Sequence, residues 1–236
     1  MTRLARRMQY SEGLCYHVFS RGHNRQTVFH DDEDRAAFVE RLACVKKRFK
    51  FALHHWCLMG NHYHLVLRVR EAEQLSRLMA GLLRSYVHHY HRRYGFVGHL
   101  WQGRFKSPAI QDGAYLLTAG RYVERNPVEA GMAGVPWEYR WSSCRFWVRG
   151  EDDGLTEEVD QSPEYAELAS AFAERRLAWR AFLMSVDPLE EAMTKSDWAI
   201  GDAAFHRRLR DRRGRPEQRR RGRPLTSTAG HGLIKS

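Results

Sequence analysis

The stretch FALHHWCLMGNHYHLVLRV, residues 51–69, decides the fold. Residues 51–58 and 62–69 both read as strands, rich in aromatic and branched apolar side chains, and Met59-Gly60-Asn61 between them reads as a turn. So short a link predicts an antiparallel hairpin. Side chains alternate faces along a strand, so Tyr63, Leu65, Leu67 and Val69 share an apolar face, and His62, His64, Val66 and Arg68 share the other. Upstream, residues 14–20 (LCYHVFS) form a further predicted strand, ended by Arg21-Gly22. Asp31 to Asp34 supplies helix-capping residues, after which Phe38, Leu42, Val45 and Phe49 recur at helical spacing. Downstream, Leu75, Leu78, Leu82, Tyr86, Tyr90 and Tyr94 make a long helical stripe up to Gly95. Residues 104–111 form a weaker strand, with Pro108 pointing to an edge position. A helix from about Gly113 is expected to end near Asn126, because Pro127 disfavours helical geometry in the residue before it. The order βαββαβ predicts an α+β fold with a ferredoxin-like antiparallel sheet, and the last helix packs on that sheet.

The chain has 236 residues, of which 43% are hydrophobic and 12% aromatic, so it can bury a core and is not disordered throughout. Its 39 basic and 28 acidic residues leave +11, which favours a polyanionic partner, nucleic acid first. The charge is uneven. Residues 1–150 hold 24 basic and 12 acidic side chains, residues 151–191 hold 3 and 12, and residues 206–224 hold 10 arginines against two acids. These shifts divide the chain into a body over 1–150, an acidic, mainly helical extension over 151–205 and an arginine-rich, disordered tail over 206–236, with a boundary loop at Gly150 to Gly154. In the extension the expected apolar positions are Leu168, Phe172, Leu177 and Phe182. No apolar run approaches a membrane span, and the basic start lacks the apolar segment of a secretory signal, so a cytoplasmic protein without membrane contact is expected. Cys15, Cys44, Cys57 and Cys144 form no CxxC pair and are expected to be reduced and mostly buried.

Two constellations carry chemistry. His62 and His64, at i and i+2 on one strand face, are close enough to grip one ion; the bland alternative is a pair of surface or hydrogen-bonded histidines. A histidine pair by itself points to manganese or zinc, since magnesium prefers oxygen. Tyr122 and Asn126 are four apart on a helix and face the same way, with Tyr115 and Thr118 extending that face. The alternatives are a half-buried aromatic and a helix-end amide.

The strings GNHYHLVL (60–67), SYVHHYHRRYGFVGHLWQGRFKS (85–107) and GRYVERNPVEAG (120–131), in this order and spacing, resemble the single-tyrosine HUH transposases, IS200-like, and among them the REP-associated tyrosine transposases. The resemblance covers roughly residues 10–150. It implies a ferredoxin-like sheet with the tyrosine helix beside it, His62 and His64 as metal ligands with Tyr63 between them, Asn126 as third ligand and Tyr122 as nucleophile. It implies magnesium or manganese as the metal. The expected reaction is nicking and joining of single-stranded DNA through a 5′-phosphotyrosine, at hairpin or palindromic sites, by a monomer or homodimer. The alternative is a domesticated relative that binds hairpin DNA or RNA without cleaving it.

For DNA contact the residues favour Arg77, Arg84, Arg92 and Arg93, with His88 and His91, along the long helix, and Trp101 with Arg104 and Lys106 after it. Basic and aromatic side chains together suit backbone contact and base stacking. The repeated Arg-Gly-Arg-Pro at 213–216 and 221–224 makes Arg215 and Arg223 candidates for a duplex minor groove, with an unstructured polycation as the alternative.

Overall fold

The computed structural model describes residues 13–71, 73–195 and 198–212. Strand β1 (Cys15–Arg21) leads to helix α1 (Asp32–Phe49), the hairpin β2 (Ala52–Leu58) and β3 (His62–Arg68), helix α2 (Gln74–Tyr94), the short strand β4 (Ala109–Ile110) and helix α3 (Ala114–Glu129). Then follow α4 (Cys144–Arg149), α5 (Pro163–Ala166), α6 (Phe172–Met184), α7 (Ala192–Lys195), strand β5 (Ala199–Ile200) and α8 (Ala203–Arg212). The sheet order is β2-β3-β1-β4-β5; β1 lies antiparallel to β3 and β4, and β5 runs parallel to β4. The first four strands have the predicted α+β, ferredoxin-like arrangement.

One sheet face carries Tyr16, Val18, Trp56, Tyr63, Leu65 and Leu67 and is covered by α1 and α2 through Phe38, Leu42, Leu78, Leu82 and Tyr86. The other carries Cys15, Cys57 and Val66 and receives α3 through Leu116, Ala119 and Val123. A bulge between Leu53 and His55 shifts the register of β2, so that His55 lies opposite Val66 on the α3 side and Trp56 opposite Leu65 on the core side. Helix α1 starts at Asp31, whose side chain accepts from the Asp34 backbone N–H at 3.1 Å. Buried Asp34 also accepts from Arg93 at 2.7 Å and from the Tyr94 hydroxyl at 2.8 Å, which ties the end of α2 to the start of α1.

Several expectations need correction. Helix α3 continues through Pro127 to Glu129; a proline so close to a helix end forfeits one bond of the ladder, and its ring is buried. Of residues 104–111 only Ala109 and Ile110 form a strand, preceded by isolated bridges from Lys106 to Phe19 and from Trp101 to Gly22. Pro108 does not mark an edge of the sheet, because β5 pairs beyond β4; that strand lies within a segment expected to be helical. In α6 the buried positions are Trp179 and Leu183, and Leu177 is exposed. Residues 206–212 of the arginine-rich segment are helical, with Phe205 and Leu209 of α8 in the core. Cys15, Cys57 and Cys144 are buried, Cys44 is exposed, and all four are free thiols.

The segment after α3 packs into the body. Glu124 of α3 is fully buried and accepts from His55 Nδ1 (2.8 Å), Ser143 Oγ (2.7 Å) and Trp179 Nε1 (2.9 Å). Arg121, also buried, donates to the Phe182 and Ser185 carbonyls and pairs with Glu190. Lys46 of α1 pairs with buried Asp160 at 2.5 Å, and Trp56 donates to Thr156 at 3.0 Å.

Gly120 lies where α3 crosses His55. A Cβ there would come within 2.4 Å of the imidazole Nε2. The ring cannot retreat, since it is bonded to Glu124 and stacked on Trp179 with centroids 5.1 Å apart. In an open helix Gly→Ala is stabilising by about 1 kcal/mol. Here Gly120→Ala is expected to destabilise the protein by about 1–3 kcal/mol through overpacking. Urea unfolding reads the sign directly, and a raised midpoint would contradict this packing.

Candidate functional site

The face of the sheet that receives α3 is apolar at one end and polar at the other. In the β1–β3 ladder Arg21 lies opposite His62, Phe19 opposite His64 and His17 opposite Val66. One-sided alternation therefore gathers His17, Phe19, Arg21, His62 and His64 at the hairpin end. Tyr122 and Asn126 come down onto this patch from α3. The Tyr122 ring lies edge-on to His64 and His17, with centroids 5.9 and 5.8 Å away. The His62 and His64 rings are perpendicular, 4.9 Å apart. The Asn126 side chain lies beside the His62 ring and the Tyr122 hydroxyl. The four residues expected to act together are thus brought together.

Hydrogen bonds orient these groups. Asn61 Nδ2 donates to the Arg25 carbonyl at 3.1 Å, which fixes Asn61 Oδ1 as an acceptor. His62 Nδ1 lies 2.6 Å from that oxygen and is therefore the protonated nitrogen, leaving a lone pair on Nε2. Asn126 Nδ2 donates to the Tyr122 carbonyl at 2.7 Å, which leaves its Oδ1 as the available donor atom for a cation. His64 Nδ1 lies 2.8 Å from His17 Nε2, so its own Nε2 is the remaining ligating nitrogen.

Electrostatics keep the imidazoles neutral, as ligation requires. Burial, with a smaller contribution from Arg21, holds His62 at about 4. Burial also puts His64 well below its ordinary value, with His17, His62 and Arg21 adding to the effect. His17 is held by burial at about 3. The Tyr122 hydroxyl is pushed up by burial and by Glu190, against the opposing pull of Arg21 and the Asn126 hydrogen bond. It is therefore a protonated phenol at neutral pH.

Among the described residues, no group of three or more His, Cys, Asp or Glu could hold a metal ion. A cation at His62 and His64 would need a third ligand of another kind, and the Asn126 amide is the neighbouring group that could supply one. Two neutral imidazoles and an amide oxygen are a mixed nitrogen and oxygen set, suited to manganese and acceptable to magnesium.

The arginines and the tryptophan expected at DNA divide differently. Trp101 is a core residue, its ring against Tyr63 (5.4 Å) and Tyr86 (6.1 Å), and does not present a stacking face. Arg93 is engaged by Asp31, Glu33 and Asp34. Arg77 and Arg84 line a groove between α1 and α2 with Arg41 and Arg48, across the sheet from His62. Arg92 is exposed at the end of α2. Arg104 lines a recess with His23 and His99, and Lys106 lies over the Phe19 ring at 5.8 Å, on the border of the site. Arg215 and Arg223 lie outside the described residues.

Sequence reasoning misses His17 and Arg21. Strand alternation from Cys15 onward puts both on the His64 face, and the strand runs one residue further than its sequence pattern indicates, to include Arg21.

Residues 10–126 match the IS200-like transposase family. The matched segment contains His17, Arg21, His62, His64, Tyr122 and Asn126. The solved structure of a REP-associated tyrosine transposase bound to a REP hairpin is similar in fold, with TM-score 0.54 and 19% identity over 70% of this chain and 96% of that one. No curated protein matches the chain. Among the described residues no helix is long and apolar enough to cross a membrane.

The buried histidines make stability depend on pH. His17, His54 and His62 are held at about 3, 4 and 4 when folded, against 6.5 when exposed. Below pH 6.5 the unfolded chain binds protons that the folded chain does not, so stability falls as pH falls. Each histidine contributes a slope approaching about 1.4 kcal/mol per pH unit. Asp153 and Asp160, raised by burial, act in the opposite sense at lower pH. Urea midpoints are expected to fall between pH 7 and pH 5.5, and a constant midpoint would contradict the burial of these rings.

Proposed function

We propose that this protein nicks and rejoins single-stranded DNA at hairpin or palindromic sites, with Tyr122 as the nucleophile and His62, His64 and Asn126 as ligands of one magnesium or manganese ion. The observation that carries this reading is the convergence of Tyr122 and Asn126, from α3, on the paired imidazoles of β3. The REP hairpin bound to the structural neighbour supports the choice of substrate.

The residues have distinct tasks. Tyr122 Oη attacks phosphorus and the bond to the leaving 3′-oxygen breaks; the phenol proton leaves to solvent and the 3′-oxygen gains one. Attack by a 3′-hydroxyl on the tyrosyl phosphate reverses the step, so the number of phosphodiester links is conserved and no outside energy is consumed. The bound cation would supply charge stabilisation at the phosphate oxygens. Arg21, whose positive charge acts on His62, His64 and Tyr122, adds to that stabilisation and favours the phenolate. Asn126, held to the Tyr122 carbonyl one turn earlier, places its amide beside the Tyr122 hydroxyl. Lys106, bordering the site, suits the flanking backbone phosphate.

Tyr122→Phe removes one oxygen and is expected to leave folding and hairpin binding near the parent values. It should abolish the denaturant-resistant protein–DNA adduct with a hairpin-bearing single strand. An adduct that persists in this variant would reassign the nucleophile, and Tyr115, on the same face of α3, would be tested next.

The tail is read as a source of sequence-tolerant affinity, with six arginines between positions 213 and 224. Because Leu209 belongs to the core, a truncation placed after Arg212 spares α8. It is expected to flatten the dependence of log K on log salt by roughly 0.7–0.9 for each phosphate no longer neutralised. An unchanged slope would show that the tail does not touch DNA.

A further inference from the structure

His17 lies beneath the candidate site and is not among its expected ligands. It is buried, stacked on Phe19 (4.8 Å) and on His64 (5.0 Å), and its Nε2 lies 2.8 Å from His64 Nδ1. Its other nitrogen, Nδ1, is buried and has no hydrogen-bond partner among the described residues. Two neutral imidazoles facing through one nitrogen each share a single proton, and only two arrangements exist. In one, His17 donates to His64, and His64 then carries its own proton on Nε2, which cannot ligate. In the other, His64 Nδ1–H donates to His17, and the Nε2 lone pair of His64 is free. Among the described residues nothing else pins the tautomer of His17, because none partners its Nδ1.

We propose that His17 is the positioning residue of the metal site: its Nε2 accepts the Nδ1–H of His64, which sets the His64 tautomer and turns the Nε2 lone pair towards the cation. This rests on the reading of His62, His64 and Asn126 as ligands. Ligating imidazoles regularly donate their second N–H to an oxygen acceptor. Here the acceptor is a neutral imidazole, and His17 Nδ1 is then a buried N–H with no acceptor among the described residues. His62 uses a different acceptor, Asn61 Oδ1, so the two ligands are oriented independently and His17 serves His64 alone.

The test measures metal binding by the full chain without DNA. Calorimetric titration with manganese chloride is expected to show one site in the parent protein. His17→Leu, which keeps an apolar bulk and removes the acceptor, should weaken that site roughly 10- to 100-fold. His17→Gln, whose amide oxygen can accept from His64, should recover most of the affinity. Ring nitrogen shifts of the parent protein with magnesium give a second readout that needs no variant: His64 should carry its proton on Nδ1, and so should His17. Equal manganese affinity in parent and His17→Leu, or a proton on His17 Nε2 in the magnesium-loaded protein, would overturn the role of His17 alone. A parent protein that binds no manganese or magnesium would overturn the metal reading itself, and this inference with it.

Discussion

Glu124 is the anchor on which the placement of the tyrosine helix depends. A carboxylate fully removed from water costs several kcal/mol unless its oxygens are satisfied. Three donors satisfy them: His55 on β2, Ser143 before α4 and Trp179 on α6. Any rotation of α3 that breaks this set leaves a buried charge short of partners. At about 3.6 residues per turn, Glu124 lies about 200° around the helix from both Tyr122 and Asn126. Fixing one side of α3 therefore fixes the other. Arg121, three residues before Glu124, holds the same side through Phe182, Ser185 and Glu190. Gly120 sets the distance, because only a residue without a side chain lets α3 lie against the His55 ring.

The sheet supplies the second half of the geometry, and here register is the constraint. His62 and His64 face α3 because Tyr63, Leu65 and Leu67 face α1 and α2. A slip of one residue in the β1–β3 ladder would move the imidazoles into the apolar layer and expose the leucines. The core that stabilises the sheet thereby also selects the side on which the site forms. The same ladder brings in His17 and Arg21, one buried and neutral, the other exposed and charged.

Much of this was legible in the sequence because local periodicity and long-range structure agree there. The hairpin at 51–69 and the helical stripe from Leu75 to Tyr94 are patterned by burial on one face, and burial is what organises them. The pairing of Tyr122 with Asn126 followed from helical spacing alone. Trp101 was not legible: basic neighbours suggest a DNA surface, yet its ring fills the space between Tyr63 and Tyr86. Composition near a residue says little about which way its side chain turns. Arg93 was obscured in the same way, since its acidic partners lie about sixty residues upstream at Asp31 and Asp34. Strand β5 is two residues long and has no periodicity to detect; it exists because β4 offers it an edge.

The acidic segment acquires a physical meaning from this arrangement. Trp179, Phe182, Ser185 and Glu190 all lie beyond residue 126, where the match to the transposase family ends. They nevertheless hold Arg121 and Glu124, which flank Tyr122 within that match. A helix packed on a sheet through Leu116, Ala119 and Val123 alone has a small, smooth apolar contact and could rotate or slide. Directional bonds to two buried charges remove that freedom, because a shift of about an ångström lengthens a charge-assisted hydrogen bond beyond its useful range. Glu190 contributes a second effect, raising the Tyr122 hydroxyl while Arg21 lowers it. The segment after the family match therefore bears on both the position and the protonation of the tyrosine, although none of its residues needs to touch DNA to do so.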